Sequence, residues 1–219
     1  MSKLAIFDCD GTLVDSGGTI HRALRSTFDS HGLDCPPRAV TRKVIGLSLD
    51  EAFAALVPDG DHPALSRTYK DAFFAMRSQG VVEEPLYDGI VEALDAFRAA
   101  GWVLGVATGK SARGLAHCLA AHDIADRFVT LQTADHHPSK PHPSMVLAAI
   151  AEAGSSAAET VFIGDTAWDM GSARGAGCGA IGAGWGYHDE YELREAGAHV
   201  VALDPTQLVG LSEHWLETR

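Results

Sequence analysis

The sequence predicts an α/β protein with a doubly wound, Rossmann-like parallel sheet as its core and an inserted helical-bundle cap domain. Short apolar runs that end in turn signals alternate with amphipathic stretches of helical length, a pattern typical of parallel strands joined by helices. Residues 16–84 interrupt this alternation, because they show helical periodicity and no strand pattern. We therefore expect the core to comprise residues 1–15 and 85–219, with residues 16–84 forming the cap.

The core elements follow one another in a regular order. The first strand is predicted at residues 3–7, where an apolar run stops at Asp8. Further strands are predicted at residues 102–107, 127–131, 160–163, 179–183 and 199–202. Helices are predicted at residues 89–100, 112–121, 143–153 and 167–176. Ligands of such sheets bind beyond the carboxyl ends of the strands, so polar residues that follow these strands should meet at one edge.

The inserted segment is predicted to contain about four helices. Ile20, Leu24 and Phe28 recur on one helical face, and Leu65 and Tyr69 recur on another. Stretches rich in proline and glycine interrupt the periodicity near residues 35–37, 58–60 and 79–80.

Composition and charge exclude several classes of partner. The 219-residue chain is 46% hydrophobic and 21% charged, which is ordinary for a globular protein with a sizeable core. Its formal net charge of -12 should repel nucleic acid and anionic membrane surfaces. Its 4 cysteines form no CxxC pair, and we find neither a signal peptide nor a membrane-length apolar run. A cytoplasmic monomer or homodimer is expected.

Two aspartates follow the first strand and are candidates for catalysis. Asp8 and Asp10 are two residues apart, so in extended chain their side chains point to the same side while Cys9 points away. Such a pair can supply a nucleophile and a general acid/base. Gly11 permits a tight turn whose amides could face an anion. Taken alone, an Asp-x-Asp pair is more often a set of ordinary strand-end and turn residues.

Two further segments could bind a phosphoryl group. Thr108 and Gly109 lie between a strand and a helix, where a hydroxyl and free amides can bind phosphate. Thr108 could instead belong to a capping box. Lys140 precedes a helix at the same edge and could neutralise a phosphoryl oxygen, although an isolated loop lysine is usually solvated.

A second acidic pair follows the strand at residues 160–163. Asp165 ends that strand, and Asp169 lies one helical turn later on the same side. Together with Asp8 they suit a hard cation bound by oxygens, most simply Mg²⁺. The alternative is that Asp165 caps the helix and Asp169 is an exposed first-turn acid.

In order and spacing, these elements resemble the four motifs of the haloacid dehalogenase superfamily. The run from Asp8 to Thr12 resembles the first motif, Thr108 the second, Lys140 the third, and Asp165 with Asp169 the fourth. The resemblance covers essentially the whole chain, since the helical insert lies where C1 caps lie in that superfamily. The stretches DGTLVDS, ATGK and GWGYH are most similar to its phosphoglycolate phosphatase-like members.

The resemblance implies a mechanism of phosphate hydrolysis. Asp8 would attack phosphorus to form an aspartyl-phosphate, and Asp10 would act as acid and then as base. Mg²⁺ would be bound by Asp8, the Asp10 backbone carbonyl and Asp165, with support from Asp169. The phosphoryl oxygens would be held by Thr108, Gly109 and Lys140. A halide leaves without a proton, so Asp10 favours a phosphatase over a dehalogenase.

The cap should select the substrate, a small phosphorylated metabolite. Gly46 and Ser48 lie between two predicted cap helices and resemble a cap loop that reaches over the active site. They could also form a plain turn with Ser48 as the helix N-cap. We expect hydrolysis of a small phosphomonoester, with phosphoglycolate as the first substrate to test. A sugar phosphomutase and a non-catalytic phosphate-binding module are the alternatives.

Overall fold

The computed structural model describes residues 2–219 and contains a six-stranded parallel sheet. The strands lie in the order β3-β2-β1-β4-β5-β6. Their bounds are β1 (Lys3–Phe7), β2 (Trp102–Thr108), β3 (Phe128–Thr133), β4 (Thr160–Gly164), β5 (Gly179–Ala183) and β6 (Val200–Ala202). All six predicted strands are confirmed, with ends shifted by up to two residues.

The first strand lies at the centre of the sheet, which decides where the site forms. Ile6 is in register with Gly105 of β2 on one side and with Phe162 of β4 on the other. From β1 the chain builds outward through β2 and β3, then returns to the other side of β1 with β4. The strand order therefore reverses beside β1, and in doubly wound sheets this is the position of the ligand crevice.

Helices cover both faces of the sheet, as a doubly wound fold requires. Those that follow the insert are α5 (Ile90–Ala99), α6 (Ala112–Ala121), α7 (Ser144–Glu152), α8 (Ala167–Ala176), α9 (Glu190–Glu195) and α10 (Leu208–Thr218). One apolar cluster joins the sheet to α5, α6 and α10, and a second joins it to α7, α8 and α9. The predicted fold class is confirmed; α9 and α10 were not predicted.

The inserted segment contains four α-helices and an apolar cluster of its own. They are α1 (Gly17–Ser30), α2 (Arg38–Thr41), α3 (Leu49–Leu56) and α4 (His62–Ser78), with a short 3-10 turn at Arg42–Val44. Leu24 and Phe28 of α1 pack with Phe53 of α3 and with Leu65 and Tyr69 of α4, so both predicted helical faces are buried. The division of the chain at residues 15/16 and 84/85 stays a prediction.

Within residues 2–219, none of the helices combines the length and the apolar character that crossing a membrane would need.

Candidate active site

Asp8 lies at the centre of the site because β1 is the central strand. Its backbone N–H donates to the carbonyl of Ile163 at 2.9 Å, which carries the sheet pairing one residue beyond the strand. The side chain is fully buried, and its Oδ1 accepts from the Cys9 amide at 2.7 Å. Cys9 points the opposite way, as predicted, and packs against Cys118 with a Sγ–Sγ distance of 3.8 Å.

Three buried carboxylates converge beyond the carboxyl ends of β1 and β4. Asp8, Asp165 and Asp169 each place an oxygen within 4.8 Å of the others. Burial and the neighbouring charges of Asp169 and Asp8 raise the pKa of Asp165 well above its usual range. Burial likewise raises the pKa of Asp8 to about 7, against the opposing effect of Lys140. Like charges held this closely out of water are unfavourable unless a cation compensates them.

The hydrogen bonds of this carboxylate cluster indicate where a cation would fit. Asp165 accepts from the Thr12 hydroxyl and from the Tyr187 amide, both at 2.8 Å. Asp8 Oδ2 is buried without a hydrogen-bond partner among the described residues. An unpartnered carboxylate oxygen beside two further carboxylates matches the oxygen ligands preferred by Mg²⁺. The residues present therefore fit a divalent cation.

Lys140 is the positive charge built into the cluster. Its side chain is fully buried, with Nζ 3.0 Å from Asp8 Oδ1 and 2.5 Å from Asp169 Oδ1. Burial alone would lower the pKa of this lysine, but the charges of Asp169 and Asp8 raise it, so the ammonium stays charged. The alternative of a solvated loop lysine is wrong.

Asp169 is the helix-capping member of the acidic pair. Its Oδ2 accepts from the Thr166 amide at 2.9 Å and from the Thr166 hydroxyl at 2.7 Å, which completes a capping box at the start of α8. Thr166, not Asp165, is thus the N-cap, and Asp169 is buried. The alternative for this pair, an Asp165 cap with an exposed Asp169, is wrong. Both acids remain available to the site.

Asp10 faces a different set of partners from Asp8. Its Oδ1 accepts from the Ser16 hydroxyl and from Lys110 Nζ, each at 2.6 Å. Lys110 Nζ also donates to Glu84 Oε1 at 2.8 Å. The carboxylate of Asp10 thus lies outside the carboxylate cluster, and the use of its backbone carbonyl toward a metal stays a prediction.

Lys110, Ser16 and Glu84 were missed by the sequence prediction. Lys110 directly follows the predicted Thr108 and Gly109, so its place at the strand end could have marked it as a candidate. Glu84 lies 26 positions from Lys110 and at the predicted end of the insert, where no local pattern marks it.

Replacement of Lys110 by methionine tests how much this buried network contributes to the stability of the fold. Lys110, Asp10 and Glu84 have side chains only 8%, 10% and 6% exposed, so Lys110→Met leaves two buried carboxylates without their shared cation. We expect a loss of about 3 kcal/mol or more in the free energy of unfolding, measured with urea at pH 7. The control Lys43→Met breaks an ion pair with Glu192 whose lysine is 48% exposed, and should cost under about 1 kcal/mol. Equal losses in the two variants would contradict the expectation.

Thr108 and Gly109 end β2 beside the cluster. Thr108 is buried, and its hydroxyl accepts from the Lys110 amide at 3.2 Å. Ser111 is the N-cap of α6 and accepts from the Gly114 amide, so Thr108 does not cap the helix. The capping alternative for Thr108 is wrong, and its hydroxyl stays at the sheet edge.

Gly11 differs from the prediction. Its N–H donates to the Val14 carbonyl at 2.8 Å, so the turn itself uses this amide instead of leaving it for an anion. Its φ of 91° lies in the left-handed region. A Cβ at this position would collide with the carboxylate of Asp165. Glycine is needed here so that the turn and Asp165 can approach each other.

The segment of the insert around Gly46 lies near the end of the core where phosphate is predicted to bind. The Ser48 amide donates to the Ser139 hydroxyl at 2.8 Å, next to Lys140. Ser48 is also the N-cap residue of α3, although its side chain makes no capping hydrogen bond. Ser48 thus lies at a helix start, as one alternative predicted, and its role in a loop over the substrate stays a prediction.

At Gly109 the core backbone lies close against the backbone of the insert. A Cβ on Gly109 would lie 2.6 Å from the carbonyl oxygens of both Gly46 and Leu47. Gly109→Ala should displace this segment and cost roughly 1–3 kcal/mol in the free energy of unfolding. The control Gly210→Ala, in α10 with no atom within 4 Å of the new Cβ, should instead stabilise by about 0.5–1 kcal/mol. Thermal unfolding of both variants would show whether one is less stable and the other more stable than the unchanged protein. A Gly109→Ala variant of unchanged stability would contradict the expectation.

The comparisons with known proteins agree with this geometry. A family model described as haloacid dehalogenase-like hydrolase matches residues 5–183. The chain is 34% identical to "Probable phosphatase IndB" of Dickeya dadantii, over 99% of this chain and 96% of that protein. It is 29% identical to a phosphoglycolate phosphatase of Agrobacterium fabrum, over 86% of this chain and 83% of the relative. A hydrolase structure from Pseudomonas syringae superposes with a TM-score of 0.84 at 27% identity, covering 97% and 99% of the two chains.

The sheet order and the acidic cluster define a doubly wound α/β protein with a candidate site beyond the carboxyl ends of β1 and β4. The chain belongs to the haloacid dehalogenase-like hydrolases. The predicted family is confirmed, and so is the predicted enzyme class, a phosphoric monoester hydrolase.

Proposed function

We propose that the protein is a Mg²⁺-dependent phosphatase that hydrolyses a small phosphomonoester through an aspartyl-phosphate on Asp8. The observation that carries the proposal is the position of Asp8: a buried carboxylate with one unpartnered oxygen, flanked by Lys140 and by Asp165. Phosphoryl transfer depends mainly on positioning and on charge stabilisation, and this arrangement supplies both.

The side chains divide the work of the proposed reaction. Asp8 attacks phosphorus, and Lys140 neutralises charge on the phosphoryl oxygens while Thr108 donates a hydrogen bond to them. Asp10, placed by Ser16, protonates the leaving oxygen and then accepts a proton from the water that hydrolyses the intermediate. Asp8, Asp165 and Asp169 hold the cation, whose chemistry is to offset the negative charge of the phosphoryl group.

The insert is proposed to act as a cap that covers the substrate. Its Gly46 backbone lies against Gly109, and its Arg42 donates to the Gly186 carbonyl at 3.1 Å. These contacts support a cap that lies over the edge of the sheet where the carboxylates lie. We keep the cytoplasm as the expected compartment, in keeping with the four free cysteines, and a monomer or homodimer as the expected assembly.

The proposal is tested by phosphate release from an aryl phosphate, measured with Mg²⁺ and after chelation. Phosphoglycolate is included because a relative carries that activity in its name. Release that continues without any divalent cation would contradict the proposal. A phosphomutase would instead form product only with a bisphosphate primer and release no phosphate. A phosphate-binding module would show binding without turnover, and it would have no use for both Asp8 and Asp10.

A further inference from the structure

We propose that the substrate's leaving group carries an apolar ring, which occupies the cavity between the insert and the core. This inference rests on the proposed phosphatase function and adds the chemical class of the alcohol that is released. A two-carbon polar alcohol such as glycolate would leave most of that cavity unfilled.

The cavity is continuous with the proposed reaction centre. It has a volume of about 450 Å³, and Asp10, Thr108 and Gly109 are among the residues that line it. Asp10 is the residue proposed to protonate the leaving oxygen, so the group attached to that oxygen extends into this space. Cavities of roughly 300–1,000 Å³ are the size that encloses drug-sized organic molecules.

Apolar side chains of the insert also line this cavity. Leu24 of α1 and Ile45 are buried, and Tyr69, Phe73 and Phe74 come from α4. The rings of Tyr69 and Phe73 lie 5.9 Å apart with an interplanar angle of 41°. Aromatic walls of this kind favour another ring, because offset and edge contacts add to the gain from burial.

The cations that line the cavity are either paired with carboxylates of the protein or, like Lys70 and Arg113, exposed to solvent, which argues against a buried site for a small anionic leaving group. Arg77 pairs with Glu84 at 3.3 Å, and Lys110 pairs with Asp10 and Glu84. These two cations are therefore neutralised by carboxylates of the protein. The guanidinium of Arg113 lies over the Phe74 ring at 4.8 Å, where both side chains are exposed. A carboxylate inside the cavity would have to be desolvated next to apolar groups, which is costly.

The experiment compares 2-phenylethyl phosphate, ethyl phosphate and phosphoglycolate as substrates of the full chain with Mg²⁺. All three substrates release a primary alcohol. Differences in kcat/KM therefore reflect mainly the contacts that the rest of each molecule makes in the cavity. We expect kcat/KM for 2-phenylethyl phosphate to exceed that for ethyl phosphate by roughly tenfold or more, since the ring would be buried. Phosphoglycolate is expected to be the poorest substrate of the three.

Phe74→Ala tests whether the cavity causes the selectivity. Phe74 is 53% exposed, so its truncation should leave the fold intact. The variant is expected to reduce the ratio of the 2-phenylethyl to the ethyl kcat/KM roughly fivefold. Tyr191→Ala is the matched control, an exposed aromatic residue on α9 that does not line the cavity, and its ratio should equal that of the unchanged chain.

The possible outcomes separate this inference from the proposed function. Hydrolysis of an aryl phosphate with no preference for the ring among the alkyl esters, or with phosphoglycolate as the best substrate, overturns the inference and leaves the phosphatase function standing. No hydrolysis of any ester with Mg²⁺ overturns both. An equal fall in the ratio for Phe74→Ala and Tyr191→Ala also overturns the role of the cavity.

Discussion

Asp8→Asn is expected to abolish phosphatase turnover, by roughly 10⁴-fold or more, while the metal-free protein becomes more stable. An amide cannot attack phosphorus as a carboxylate does, so the proposed covalent route closes. The same change removes one of three carboxylates that lie within 4.8 Å of one another. Activity and stability should therefore move in opposite directions.

The expected gain in stability follows from the pH dependence of unfolding. The pKa of Asp8 is raised from 3.8 to about 7 in the folded protein. Between these values the folded state binds more protons than the unfolded state, so stability falls as pH rises from about 4 to 7. The contribution amounts to a few kcal/mol and is lost from the metal-free chain at pH 7. In Asp8→Asn, the part of the pH dependence of stability that comes from Asp8 should disappear.

Urea unfolding between pH 4 and pH 8 in a chelator would measure the stability, and phosphate release at pH 7 would measure the activity. Asp15→Asn serves as the control, because Asp15 lies in the same loop and is exposed. It should change neither quantity appreciably. An Asp8→Asn variant that retained turnover, or that lost stability at pH 7, would contradict the prediction.

Binding of Mg²⁺ is expected to displace a proton, so its affinity should rise with pH. In the metal-free protein Asp8 is half protonated near pH 7, and burial with the charges of Asp169 and Asp8 raises the pKa of Asp165 as well. Carboxylates must be deprotonated to bind a cation. Displacement of one proton from Asp8 makes the affinity roughly tenfold weaker at pH 6 than at pH 8. Chelation should abolish turnover at either pH.

Calorimetric titration with Mg²⁺ in two buffers of different ionisation enthalpy would count the protons released. The rise in Tm caused by a fixed Mg²⁺ concentration should also be larger at pH 8 than at pH 6. Asp165→Asn should lose most of this rise, whereas Asp189→Asn, an exposed acid at the start of α9, should keep it. Equal Mg²⁺ affinity at the two pH values would contradict the linkage.

Features that depend on local pattern were predictable from the sequence. The helix α6 was predicted with its observed bounds, because Ser111 and the apolar spacing mark both ends within one short stretch. The central aspartates were found for the same reason, since Asp8 directly ends an apolar strand. Strand ends such as Thr133 of β3 were missed by two residues, because the pairing with β2 and not local composition extends that strand.

Features that depend on contacts between distant parts of the chain were not predictable. The ion pairs of Lys110 with Asp10 and Glu84 join three separate segments, so no spacing within one of them indicates the network. The use of the Gly11 amide by Val14 follows from the shape of one turn, which the residue types alone leave open. Such arrangements are set by tertiary packing, which overrides local preference.

The close approach of Gly46 and Gly109 has a consequence for how new activities could arise on this scaffold. At that point the backbone carbonyls of Gly46 and Leu47 lie directly against Gly109, with no room for a side chain. Side chains farther along α4 take no part in this backbone contact. A library that varies those ring positions and keeps both glycines would explore new alcohols while the geometry for phosphorus is inherited unchanged.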